Sequence, residues 1–145
     1  VSEARLMIGE RVLLTLWVGG LWSIGYIVAP ALFANLEDRA LAGSLAGVLF
    51  HIIALVGLAC GALLLLFNQL RAPGRRANWR APVLIAMLVL VAVGEFGLAP
   101  LIAEVRSDGL VDSARFAQLH GVAALLYLAT SVLGLLLVVA RPDVG

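Results

Sequence analysis

The sequence predicts an all-α protein, a bundle of four transmembrane helices, and three observations lead there. The 145 residues are 63% hydrophobic and 13% charged, whereas a soluble domain is about 45–50% apolar and about 25% charged. Four stretches are each as long as the roughly 20 apolar residues that cross a hydrocarbon core. The arginines cluster at alternate ends of those stretches, as positive charge does on the cytoplasmic side of a membrane.

The first stretch, Val12 to Phe33, contains no charge. It is too long for a cleaved signal peptide, and it ends in Pro30 and Phe33 rather than in a small-residue cleavage site. The second, Leu41 to Phe67, has His51 and Cys60 as its only ionisable groups. Pro82 to Ala103 is interrupted once, by Glu95, and Phe116 to Ala140 carries only His120. Helices are expected throughout, because a strand or loop left in lipid would strand backbone polar groups at several kcal/mol each. Residues 1–145 therefore read as a single integral membrane domain. Hairpin one covers about 12–67, an Arg-rich loop about 68–81, and hairpin two about 82–140. Pro73 and Gly74 mark the break between the hairpins.

Arg5 and Arg11 precede the first span, Arg71, Arg75, Arg76 and Arg80 fill the middle loop, and Arg141 follows the fourth. Only Arg39, Arg106 and Arg115 fall on the other side. Both termini and the 68–81 loop are thus expected in the cytoplasm, and the protein in a plasma (inner) membrane.

Several function classes drop out. Ten arginines, no lysine and nine acids give a net charge of +1 with no polybasic tract, which excludes nucleic acid as a partner. Cys60 is alone and forms no intrachain disulfide. There is no Gly-rich phosphate loop, no nucleophile elbow and no HExxH, so no catalytic residue is assigned and enzyme chemistry is not the favoured reading. The expected partners are the lipid bilayer and either other membrane subunits or further copies of the chain.

The two hairpins look like a duplication. Ala29-Pro30 near the end of span one matches Ala99-Pro100 near the end of span three, with Gly25 and Gly94 five and six residues earlier. His51 lies twenty-one residues beyond Pro30, and His120 twenty beyond Pro100. Such a parallel repeat would carry a pseudo-twofold axis along the membrane normal and make the two histidines equivalent.

Under that symmetry His51, His120, Glu95 and Tyr26 reach roughly one level in the half of the bilayer away from the termini. Ionisable groups at such depth point to a functional site. Two imidazoles on facing helices can ligate a haem iron. Imidazole and carboxylate can bind copper or another transition metal. Glu95 and a histidine, with Tyr26, can instead relay protons. Spans two and four, if diagonal, stand roughly 11–14 Å apart, which suits a haem, whereas neighbouring spans suit a bare ion. The plainer alternative is that the histidines are polar glue between helices. Gly43-xxx-Gly47 and Gly57-xxx-Gly61 read as helix-packing motifs. Trp17, Trp22 and Trp79 read as packing or interface anchors.

Trp17-x-Gly19-Gly20, Pro30-x-x-Phe33, Leu49-Phe50 and above all Phe116-x-x-Leu119-His120-Gly121 resemble the transmembrane-protein-205-like family, itself largely a domain of unknown function. The resemblance covers nearly the whole chain. It implies a four-helix unit grouped remotely with copper-resistance-D-like membrane proteins and with a haem-binding membrane protoporphyrinogen oxidase. In that family polar residues follow the His-Gly pair. Here Val122 to Leu125 is apolar, and Tyr127, Thr130 and Ser131 restore polarity only further along.

The functional expectation is a haem- or metal-binding membrane protein, redox- or copper-associated, that uses His51 and His120. Glu95 serves as third metal ligand or, with Tyr26, as proton carrier. One alternative is a non-catalytic accessory or assembly subunit that docks by its glycine-rich faces onto a larger membrane complex. A second is a small oligomeric transporter.

Overall fold

Asp38 and Ser113 set the starts of two helices. The Asp38 Oδ1 accepts hydrogen bonds from the backbone N–H groups of Ala40 (2.8 Å) and Leu41 (3.1 Å). The Ser113 hydroxyl accepts from Phe116 N–H at 3.2 Å. Both satisfy donors that a helix N-terminus leaves free. In the computed structural model, which describes residues 2–71 and 78–140, these caps open the second and fourth of four long helices. They are α1 (Glu3–Asn35), α2 (Arg39–Arg71), α3 (Arg80–Ser107) and α4 (Ala114–Val139). Each is long and apolar enough to cross a membrane, so the chain is an integral membrane protein. No strand occurs among the described residues. Pro73 and Gly74, the expected break between hairpins, lie outside them.

The helices overrun the apolar windows read from the sequence. α1 begins at Glu3 rather than near Val12, and α2 continues to Arg71. The charges at these ends pair with one another, which lets the helices persist where the sequence turns polar. Glu10 accepts from both Arg71 and Arg80. Arg80 also donates to the carbonyls of Leu137 and Ala140 at the end of α4, at 3.4 Å each. One carboxylate and one guanidinium thus tie all four helices together at the end that carries the termini.

Each helix packs on its neighbours in chain order, and α4 closes back on α1. α1 and α3 therefore stand on one diagonal, α2 and α4 on the other. Trp17, Met87 and Leu137 are fully buried, with Leu64 and Leu84 nearly so, and all lie in the half toward the termini. Here Gly57-xxx-Gly61 receives side chains of α1 and α3. A Cβ on Gly57 would lie 2.3 Å from Trp17 Nε1, and one on Gly61 would lie 2.6 Å from a Leu88 methyl. The bare backbone is the seat for the indole, whose N–H finds no acceptor among the described residues.

The other half is looser. Beyond Leu21 and Ile53 near mid-helix, its buried residues are mostly small, among them Ala29, Ala42, Gly43 and Ala46, with Val105 on α3. Gly43-xxx-Gly47 also receives a side chain. The Arg106 guanidinium lies 3.6–3.8 Å from the Cβ positions of both glycines and donates to the Gly43 carbonyl at 3.2 Å. A helix carbonyl near the start of α2 is already bonded within its helix. It still has a second lone pair for the charged donor.

Candidate functional site

The two odd helices each contain a wide turn of the same kind at the same place. Ile24–Val28 and Val93–Leu98 are π-helical, and each runs directly into Ala-Pro. Proline has no N–H and its ring collides with the carbonyl four residues back. At Pro30 and Pro100 those carbonyls belong to Tyr26 and Phe96. The preceding alanines close a five-residue step, Ala29 N–H to the Ile24 carbonyl and Ala99 N–H to the Gly94 carbonyl. Such π turns swell the helix locally and recur at functional sites.

Glu95 lies in the second of these turns, and His51 of α2 comes to meet it. His51 Nδ1 and Glu95 Oε1 are in direct hydrogen-bonding contact across the α2/α3 seam. Gly43, Gly47 and His51 are spaced four residues apart and share one stripe of α2, the stripe that faces α3. Arg106 fills its upper part and Glu95 meets its lower part. The imidazole is 55% exposed and the carboxyl 12%, so the histidine forms the open lip of the pair and the glutamate its floor. At 1.5 Å per residue both lie about 18 Å from the hairpin ends of their helices, well inside a hydrocarbon core of about 30 Å.

His120 does not join them. It lies about 9 Å from the start of α4, exposed, with its ring stacked on Phe116 at 5.9 Å. Across the α2/α4 diagonal the rings of Phe50 and Tyr127 meet edge to face at 5.1 Å. Both rings are half-buried and pack against the core. The seat that the repeat would give to His120, against the first π turn, holds Tyr127. A Cβ on Gly25 would lie 2.3 Å from its ring, and its hydroxyl donates to the Leu21 carbonyl at 2.6 Å. Tyr26 is half-exposed, 4.7 Å from the Trp22 ring and 6.1 Å from that of Tyr127. No hydrogen bond joins it to Glu95 among the described residues. Of the four expected site residues, two are brought together.

No group of three or more His, Cys, Asp or Glu arranged to hold a metal ion occurs among the described residues. Thr130 and Ser131, fully buried, spend their hydroxyls on their own helix, donating at 2.8 Å to the carbonyls of Leu126 and Tyr127. Two polar clusters escaped the sequence reading. Glu10 stands just before the first apolar window, and Arg106 just after the third. Their signal was opposite charge, or a bare glycine stripe, at the same end of adjacent helices.

Residues 12–110 match a domain of unknown function, DUF4149. The chain belongs to that family. The DUF4149 match takes in most of α1, all of α2 and all of α3, and so includes Tyr26, His51, Glu95 and both π turns. It ends before α4 and His120. No curated protein and no solved structure matches the chain.

Proposed function

We propose that this DUF4149 protein exchanges protons through the His51–Glu95 couple, within the half of the bilayer away from its termini. The observation that carries the reading is the direct contact between His51 Nδ1 and Glu95 Oε1, supplied by different helices at membrane depth. Imidazole is the side chain that changes charge near physiological pH. A hydrogen-bonded carboxyl beside it provides a place for the proton to go. An ionisable pair kept in lipid at a cost, in a locally widened helix, favours use over packing. The arginine distribution supports cytoplasmic termini and a cytoplasmic 68–81 loop in a plasma membrane, so the couple would open toward the outer face.

The haem or copper reading needs His120 at the same centre. Here His120 is exposed and stacked on Phe116 of its own helix, which favours protons over a shared ion within one chain. Kinship with the transmembrane-protein-205-like and copper-resistance-D-like proteins rests most on Phe116 to Gly121, beyond the matched residues. The accessory-subunit reading draws support from bare glycines on α3, since nothing lies within 4 Å of a Cβ on Gly94 or Gly97.

Infrared titration of the purified protein tests the proposal. A carboxyl band that changes with pH and vanishes in Glu95→Gln is expected. No titrating band from Glu95 overturns it, and a Soret band or stoichiometric metal lost in both His51→Ala and His120→Ala would move the function to the ligand reading.

A further inference from the structure

Among the described residues, the charges at the terminal end do not balance. Glu10 faces two guanidinium groups, Arg71 through Oε2 and Arg80 through Oε1. Arg11, the next residue of α1, is exposed and makes no ion pair among the described residues. Arg11, Arg80 and Glu10 border a cavity of about 180 Å³ between α1 and the last turn of α4, with Met7 and Leu14 among its apolar walls. Arg80 is held at this seam by its bonds to the Leu137 and Ala140 carbonyls.

The cavity does not end blindly. It shares Leu14 and Val138 with a second, apolar groove of about 290 Å³ that runs on along α1. Thr15, Val18, Gly19 and Trp22 form the α1 side of that groove. A Cβ on Gly19 would meet nothing within 4 Å. The Thr15 hydroxyl donates to its own Arg11 carbonyl at 2.8 Å and presents no free donor. From Leu14 to Trp22 the groove extends about 12 Å toward the membrane centre.

A basic cavity at the helix ends, continued by an apolar slot into the membrane, has the polarity profile of a phospholipid. We infer that an anionic glycerophospholipid binds between α1 and α4. Its phosphate lies against Arg11 and Arg80, and one acyl chain lies along Gly19. The surplus positive charge selects an anionic headgroup, because a choline cation would sit beside the arginines. Basic pockets between membrane helices recognise lipid headgroups in this way. Inorganic phosphate would satisfy the cavity but not the slot.

Native mass spectrometry of the full chain, offered equal amounts of phosphatidylglycerol and phosphatidylcholine, tests the inference. The phosphatidylglycerol adduct should exceed the phosphatidylcholine adduct about fivefold, the factor one interfacial arginine contributes toward an anionic lipid. Arg11→Gln, which leaves the Glu10 clamp intact, should remove that preference. Gly19→Leu, which fills the slot, should reduce both adducts alike. Equal retention of the two lipids overturns the inference, as does a phosphatidylglycerol adduct unchanged in both variants. Displacement by inorganic phosphate with no effect of Gly19→Leu also overturns it, by revealing a bare anion site.

Discussion

The Tyr127 hydroxyl donates to the Leu21 carbonyl at 2.6 Å, and with that bond α4 presents a phenol to the first π turn where α2 presents an imidazole to the second. The two halves share a backbone device but not its chemistry. Pro30 and Pro100 each impose a wide turn, yet only the second turn holds an acid. A histidine opposite the first would have met Tyr26 and no carboxyl. His120 stands two turns nearer the start of α4 and is exposed.

Tyr127→Phe should therefore weaken the α1/α4 seam modestly. Interhelical hydrogen bonds in membrane proteins contribute about 0.6–2 kcal/mol. Reversible unfolding in mixed micelles should report a loss in that range, with the His51–Glu95 contact intact. Gly25→Ala should cost more, roughly 1–3 kcal/mol, because the added methyl drives into the Tyr127 ring.

Gly57 of α2 and Gly121 of α4 should respond in opposite ways. Gly57→Ala puts a carbon 2.3 Å from Trp17 Nε1 and should destabilise by roughly 1–3 kcal/mol. Gly121→Ala meets nothing within 4 Å on α4 and should be neutral or stabilising by up to about 1 kcal/mol through helix propensity. The same unfolding measurement distinguishes them, and equal effects would contradict the packing described.

Much of this was legible in the sequence. The four spans followed from length and hydropathy, since lipid allows few other structures. The Ala-Pro repeat was visible because proline acts on its own helix. Pairing was not visible. Helix rotation decides that His51 meets Glu95 while His120 faces outward, and rotation is set by side chains such as Trp17 and Arg106 fitting bare glycine stripes on a neighbour. Glu10 was overlooked for a related reason. A charge two residues outside an apolar window reads as solvated until Arg71 and Arg80 are placed beside it.

Glu10→Gln should expose the cost of that clamp. It leaves Arg71 and Arg80 with a neutral partner in a mostly buried site, and breaking such a pair on one side costs roughly 3–5 kcal/mol. Thermal unfolding in detergent should show a large loss for Glu10→Gln and a small one for the exposed Glu3→Gln.

Protonation of Glu95, followed by its infrared carboxyl band as pH is varied, tests the proposed couple most directly when wild type, His51→Gln and His120→Gln are compared. A proton-exchanging His51–Glu95 pair predicts that His51→Gln shifts the titration of this band and that His120→Gln leaves it in place. A titration moved equally by both substitutions, or by neither, would contradict it.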